Sequence, residues 1–569
     1  MKLLIKEYLS SLKERGELDA ILPDLLSEMG LHVFSRPAVG VRQHGVDLAA
    51  VGVDGDGQRK VFLFTVKAGN LTRQDWNGTT QAVRPSLDEI QDSYVRQRIP
   101  KQYAELPVAI CICVGGDVDQ NVDGDLSAYE DRYTKDGVEF QRWDGDRLAN
   151  FMLTAVLGEN VVSGEARSYF RKSVAMLDEP GASYGYFAEM LQKMRGEIGK
   201  RQKDKIRFVR QLNLCCWVLF VWAREADNIE APYRCSELAL LWGWHFTAEH
   251  LGKSSRQAKE MQNAMTSLIE LHINIANAFI TEKVLPHADK RDGLATAVNS
   301  SFALDVNLRL YEILGRLALT GIWLQFVKNR ASGLTEEIEA RAEAELVSYT
   351  DGLVQILNQN GILRSPRLDS HAIELSLVGM FLAMRSRYDV ISDWMGQVLA
   401  ASLFALQFND AYPCILTEYG ELAAHPKARS DKKYFENVTA GSTLYPTLMI
   451  WQKIANKSAE FTDASAAINE ILPHCTMQLW VPNESSEAHL YLHDATHGLA
   501  VVGLEITPSG DDILQIVFEE CRHNETRFNS LSAVKLSFWP IILVACRHHR
   551  ISVPLNFWRD LSPLNDASA

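Results

Sequence analysis

Ser27–Gly69 reads SEMGLHVFSRPAVGVRQHGVDLAAVGVDGDGQRKVFLFTVKAG, and the order of its elements decides the fold. Glu28 closes a helical pattern that Gly30 stops, since glycine readily takes the left-handed conformation that ends a helix. Leu31–Ser35, Val46–Val53 and Lys60–Val66 follow as apolar runs of strand length. Between the last two, Asp54-Gly55-Asp56-Gly57 predicts a tight hairpin. That hairpin makes the two strands antiparallel neighbours, so Asp47 near the start of one and Lys67 at the end of the other converge. Thr65 and Lys67 share a face because strand side chains alternate.

Outward from this stretch the alternation of helix and strand continues. Leu3–Met29 is an amphipathic helical pattern upstream. Downstream come a helix over Pro85–Tyr103, a buried strand Val108–Val114 (VAICICV), a helix over Leu126–Tyr133 and a strand Val138–Trp143. Asp144-Gly145-Asp146-Arg147-Leu148-Ala149 then reads as an Asp-capped helix start. The order over the first quarter of the chain is α-β-β-β-α-β-α-β-α.

This order resembles the catalytic domain of the PD-(D/E)xK nuclease superfamily, in particular its Mrr-like restriction-endonuclease branch. The resemblance rests on Gly45-Val46-Asp47, on Thr65-Val66-Lys67 and on the closing Asp-Gly-x-x-Leu-Ala. It implies an α/β domain with a restriction-endonuclease-like mixed sheet flanked by helices. It also implies a metal-dependent endonuclease that hydrolyses DNA. By position, Asp47 would ligate Mg²⁺ or Mn²⁺, with the Val66 carbonyl completing the shell and Glu28 adding a carboxylate from the first helix. Lys67 would polarise the attacking water or the phosphate. Thr65 stands where the family carries its second acid, and a hydroxyl is a poor substitute for a carboxylate. Two expectations follow: an active nuclease, or a nuclease-fold scaffold or sensor that binds nucleic acid or a partner protein. The layout resembles bacterial anti-phage defence effectors, which implies a homo-oligomer and a possible separate ATPase partner. RNA as substrate is not separable from DNA, since one metal site serves either backbone.

Basic residues after the lysine strand suggest a substrate track. Arg73, Arg84 and Lys101 are candidates for phosphate contact and Trp76 for stacking on a base, with Gln81 or Gln91 lining the site. The alternative is a solvated face, since Asp88, Glu89 and Asp92 intervene. Asp119–Glu130 fits the calcium-loop pattern D-x-N-x-D-G-x₅-E, but a strand precedes it where that motif needs a helix, and a capped surface loop is the plainer reading. His493 and His497 would share a helical face and could take zinc, though no third ligand is evident. Cys521-Arg522-His523 and Cys546–Arg550 read as basic surface. No P-loop or GxGxxG motif occurs.

Beyond Ala166 the pattern changes to long amphipathic helices without a fixed repeat, followed by a mixed end with strands near Met477–Val481 and Leu499–Ile506. The expected segments are a nuclease-like domain over 1–157, a helical linker over 158–204, a helical regulatory or oligomerisation domain over 205–470 and a mixed α/β subdomain over 471–569. The formal charge of −14 over 569 residues argues against bulk electrostatic coating of nucleic acid, although a local basic track is compatible with it. Nine cysteines without CxxC spacing suggest reduced thiols, and the charged start MKLLIKEYLSSLKERGELDA has no signal-peptide core. The longest apolar runs, Leu212–Ala223 and Leu536–Cys546, fall short of the ~20 residues that span a bilayer. A cytoplasmic protein without membrane anchorage is expected.

Overall fold

The computed structural model describes residues 6, 9–10, 12, 14, 18–36, 44–135, 137–157, 164–331, 335–455, 458–507 and 510–559. The upstream helical pattern is described from Asp19–Glu28 (α1), with Glu14 and Leu18 in helical backbone before it. Five strands follow: β1 His32–Ser35, β2 Leu48–Val53, β3 Arg59–Lys67, β4 Val108–Val114 and β5 Val138–Trp143. They form one sheet in sequence order, with β1, β2 and β3 antiparallel and β4 and β5 parallel to β3. Asp54–Gly57 makes the expected hairpin, closed by Asp54 N–H to the Gln58 carbonyl at 2.8 Å.

Between β3 and β4 lie α2 (Arg73–Asn77) and α3 (Val83–Glu89), and α4 (Gln120–Tyr133) joins β4 to β5. The expected helix over Pro85–Tyr103 is broken: it passes through a wide turn at Ile90–Tyr94 and ends in a tight turn at Lys101–Tyr103. One sheet face buries Leu63, Ile110 and Ile112 against Val83 and Leu87 of α3 and Val122 and Leu126 of α4. Alternation sends Phe64 to the other face, where it meets Trp143 edge-on. The closing helix α5 (Gly145–Leu157) starts as expected, with Asp144 Oδ1 accepting from Arg147 N–H at 2.8 Å.

The chain divides into two compact units, one of Met1–Ala239 with Lys253–Leu271 and one of Leu240–Gly252 with His272–Ala569. In the first, α6 (Gly164–Ala175) and α7 (Pro180–Arg195) pack as a pair, tied by Ser173 Oγ to the Ser183 carbonyl at 2.8 Å. The long α8 (Gln202–Glu225) packs on α1, α5 and α6, and Asn213 donates to the buried Asp24 of α1 at 2.6 Å. The described part of the expected linker therefore belongs to the same unit as the sheet. The N-terminal part of α9 (Arg256–Phe279) completes that unit.

The second unit is a helical assembly around α12 (Ala372–Met384), which is buried from Ala372 to Ala383 and so carries apolar residues all round. It packs against α10 (Ala303–Arg330), α13 (Tyr388–Phe408) and α14 (Leu444–Ile454), while α11 (Glu336–Gln359) flanks α10. A small sheet joins β6 (Gly441–Ser442), β7 (Thr476–Val481) and β8 (Leu499–Val502). It crosses the boundary expected at residue 470. Among the described residues two helices are long and apolar enough to cross a membrane, at Gln202–Arg224 and Ala303–Arg330, but each buries most of its apolar window within the protein. All nine cysteines are unpaired, and all but Cys475 are buried.

Candidate functional site

Gly45 opens the site. It sits at φ +78°, and a Cβ there would lie 2.2 Å from the Ser86 carbonyl oxygen, so only glycine lets the entry to β2 pass this close to α3. Two residues later Asp47 extends the antiparallel ladder beyond Leu48. Its N–H donates to the Phe64 carbonyl at 2.8 Å, and its carboxylate Oδ2 accepts from Val66 N–H at 2.7 Å. Asp47 thereby brackets Thr65 through the backbone on both sides. One carboxylate oxygen is fixed and the other keeps its acceptor capacity.

Lys67, mostly buried at the end of β3, is held by a residue the sequence reading did not select. Its ammonium donates to both carboxylate oxygens of Glu14, at 3.1 and 3.0 Å. Burial pushes the Asp47 carboxyl up to about 6; the Val66 N–H and Lys67 oppose that rise, while the charges of Glu14 and Asp19 add to it. A cleft of about 480 Å³ opens over Lys67 and Glu14, bordered by Gln74, Asp75, Thr79 and Gln81. Gln81 is therefore at the site as anticipated, whereas Gln91 bonds Tyr129 at 2.7 Å in the flanking helices.

Glu28 requires a correction. Its neighbours are Asp24, Arg207 and Arg210, with Arg207 Nε at 3.8 Å, and burial pushes its carboxyl up to about 7. The strand register explains the error. His32 lies across from Val51, so the α1–β1 turn adjoins the far end of β2, ~14 Å from Asp47 at ~3.4 Å per residue. An acid near the C-terminus of α1 is therefore at the wrong end of the sheet. Along a continuous helix Glu14 would precede Glu28 by ~21 Å, more than the ~14 Å that separates the two ends of β2. The antiparallel pairing of β1 with β2 favours an acid early in the helical segment, whereas the sequence signalled a pairing only for β2 with β3.

Thr65 is only 1% exposed, so its hydroxyl is closed off from the cleft that Lys67 and Glu14 line. Trp76 is also corrected: it is 3% exposed and packs edge-on against Tyr129 at 5.7 Å, which leaves no face for a base. Arg73, Arg84 and Lys101 are exposed. None of the three is among the side chains that border the cleft. Asp75 closes a capping box with Thr72 at the start of α2, a feature the sequence reading passed over.

The calcium-loop pattern is not a loop. Residues 120–133 are helical, and Asp123, Ser127 and Glu130 on one face of α4 hold Arg142 of β5. The helix follows an N-cap at Asp119 and so starts at Gln120, ahead of the expected Leu126. His493 and His497 lie in non-helical backbone, and burial beside His493 and His489 lowers the His497 ring to about 4. Cys546 and Arg547 are buried, and Arg550 pairs with the buried Glu374, so this run is not a basic surface.

Among the described residues no group of three or more His, Cys, Asp and Glu side chains is arranged to hold a metal ion. The donors at the site are still of the type a hard divalent cation takes. Asp47 and Glu14 supply carboxylates, and a small cation such as Mg²⁺ is commonly held by one or two carboxylates while it keeps several waters. The raised Asp47 carboxyl accords with this, because desolvation raises it by more than the Val66 N–H and Lys67 offset. The residues present fit one cation with few protein ligands.

Fold and site together define a mixed α/β protein whose sheet, at one end, pairs a half-buried aspartate with an acid-bound lysine, extended by a largely helical region. Comparison with protein-family models, with curated proteins and with solved structures found no match for this chain.

Proposed function

We propose that the N-terminal sheet domain is a restriction-endonuclease-like phosphodiesterase that cuts DNA with Mg²⁺ or Mn²⁺. The observation that carries this reading is the convergence of Asp47, Lys67 and Glu14 at one end of the sheet. The sheet itself, with three antiparallel strands followed by two parallel ones, supports it as the scaffold expected from the sequence.

In this reading Asp47 and Glu14 hold the cation, which when bound supplies charge neutralisation and a more acidic water. The Val66 N–H fixes the Asp47 carboxylate in one orientation. Lys67 presents its ammonium to the attacking water or to a phosphate oxygen, where it stabilises developing negative charge. Glu14 sets the position of that ammonium. Arg73 and Arg84 reach the phosphate backbone from the helices beside the cleft. Cutting both strands requires two such sites, so the working form is a homo-oligomer, and a cytoplasmic defence role against foreign DNA accords with this chemistry.

Thr65 favours a second reading, in which the domain binds nucleic acid or a partner without cutting. A cleavage assay on duplex DNA, single-stranded DNA and RNA, with Mg²⁺, Mn²⁺ or EDTA, separates the two. Metal-dependent cutting that falls ~10²–10⁴-fold in both Asp47→Ala and Lys67→Ala establishes the nuclease. Binding without cutting by the wild type establishes the second reading.

A further inference from the structure

At the other end of the sheet lies a cleft of about 590 Å³, walled by the α1–β1 turn, by α8 and by the start of α9. The sequence builds it from helical spacing. Lys203, Arg207 and Arg210 recur at i, i+4 and i+7 on one face of α8, and Arg256, Glu260 and Asn263 do the same on α9. The third wall turns at Gly30, whose φ of +88° carries the chain from α1 into β1. Arg36, after β1, is a fifth cation on the lining, against two carboxylates, Glu28 and Glu260. In a chain of net charge −14 this is a local reversal of sign.

Arg207 and Arg210 are weakly satisfied by the protein. Arg207 approaches Glu28 only to 3.8 Å, beyond hydrogen-bonding distance, and Arg36 approaches Asp24 only to 3.8 Å. The Arg210 Nε is buried without a hydrogen-bond partner. Arg256 is paired with Glu260 at 3.1 Å, and Arg36 also donates to the Ser267 hydroxyl at 3.3 Å. Arg256 and Gln257 are also the first two residues of a 24-residue helix, whose N-terminal dipole adds positive potential to the same wall.

We propose that this cleft binds the phosphate group of a nucleotide or of a nucleic-acid end, through Arg207, Arg210 and Lys203 with the start of α9. Guanidinium forks match phosphate oxygens two at a time, a geometry that a halide ion cannot offer. The cleft is larger than a phosphate and falls in the range of small-molecule sites, so a nucleoside fits behind it. Glu28 and Glu260 then accept from ligand hydroxyl or amino groups. Burial holds the Glu28 carboxyl near 7, so at neutral pH its proton limits repulsion of the incoming anion.

The test is equilibrium binding to the full chain in EDTA, in an Asp47→Ala background so that the probes are not cut, and binding is assigned to this cleft by its own variants. The probes are inorganic phosphate, ATP, and an oligonucleotide with either a 5′-phosphate or a 5′-hydroxyl. Binding of ATP assigns a free nucleotide; a preference for the 5′-phosphate over the 5′-hydroxyl assigns a nucleic-acid end. In either case the exposed pair Lys203→Glu/Arg207→Glu lowers affinity about tenfold or more, and Arg207→Lys, which keeps the charge and loses the fork, lowers it less. Lys135→Glu, an exposed lysine outside the cleft, leaves affinity within about twofold. Failure of every phosphate probe to bind the parent protein, or equal loss in Lys135→Glu, overturns the proposal. Circular dichroism of each variant confirms that the fold is retained.

Discussion

Where β2 begins and β3 ends, acids outnumber bases: Asp47 feels the charges of Glu14 and Asp19 against that of Lys67 alone. Where α1 turns into β1, five basic side chains line a cleft that holds two acids. Both regions bury a carboxyl whose proton affinity is raised, Asp47 to about 6 and Glu28 to about 7. The balance of charge favours a cation at the first and an anion at the second. A raised carboxyl by itself therefore does not identify catalysis; the surplus charge around it says what the region is built to receive.

The contrast is broken most directly by removing an acid from each region. Glu14→Ala frees Lys67 and is expected to lower metal-dependent cleavage ~10–100-fold, in line with partners that orient ligands and catalytic groups. Glu28→Ala is expected to leave cleavage within about twofold in the same assay. Equal losses would mean that both acids serve one site.

A smaller effect concerns pH. Asp47 must be ionised to receive a cation, so the cleavage rate is expected to rise with pH through about 6 at limiting metal. Because bound metal favours the ionised form, the midpoint should move to lower pH as metal is raised. A midpoint that ignores metal concentration would remove Asp47 from the cation's contacts.

The smallest effect is on stability. Glu28 titrates near 7 in the folded protein but near its ordinary 4.5 when unfolded, so the folded state holds more protons between those values. Its contribution is fully present below about 4.5 and is lost as pH rises through about 7. Glu28→Gln should therefore raise stability at pH 8 by roughly 1–3 kcal/mol and leave it unchanged near pH 4, as read by denaturant unfolding. A destabilised variant at pH 8 would show that the Arg207 pair outweighs burial.

The strands were legible because their signals are local. VAICICV is a continuous apolar run that only a strand buried on both faces accommodates, and Val108–Val114 is buried throughout. The Asp-Gly-Asp-Gly turn fixed the pairing of β2 with β3, and hence the meeting of Asp47 and Lys67. Trp76 misled because stacking on a base and edge-on packing against Tyr129 ask for the same side chain. The calcium-like run misled in a similar way, since acids at that spacing also suit a helix that clamps Arg142.

The sequence by itself determined the mixed α/β start, the helical remainder and the two ends of the lysine strand, because each rests on periodicity and turn chemistry within a few residues. Only the tertiary structure decided which acid serves Lys67, that Thr65 is closed from the cleft, and that Lys203, Arg207 and Arg210 face Arg256. Those facts depend on helix length, strand register and the packing of segments about fifty to sixty residues apart in the chain. Side-chain spacing within any one segment carries no record of them.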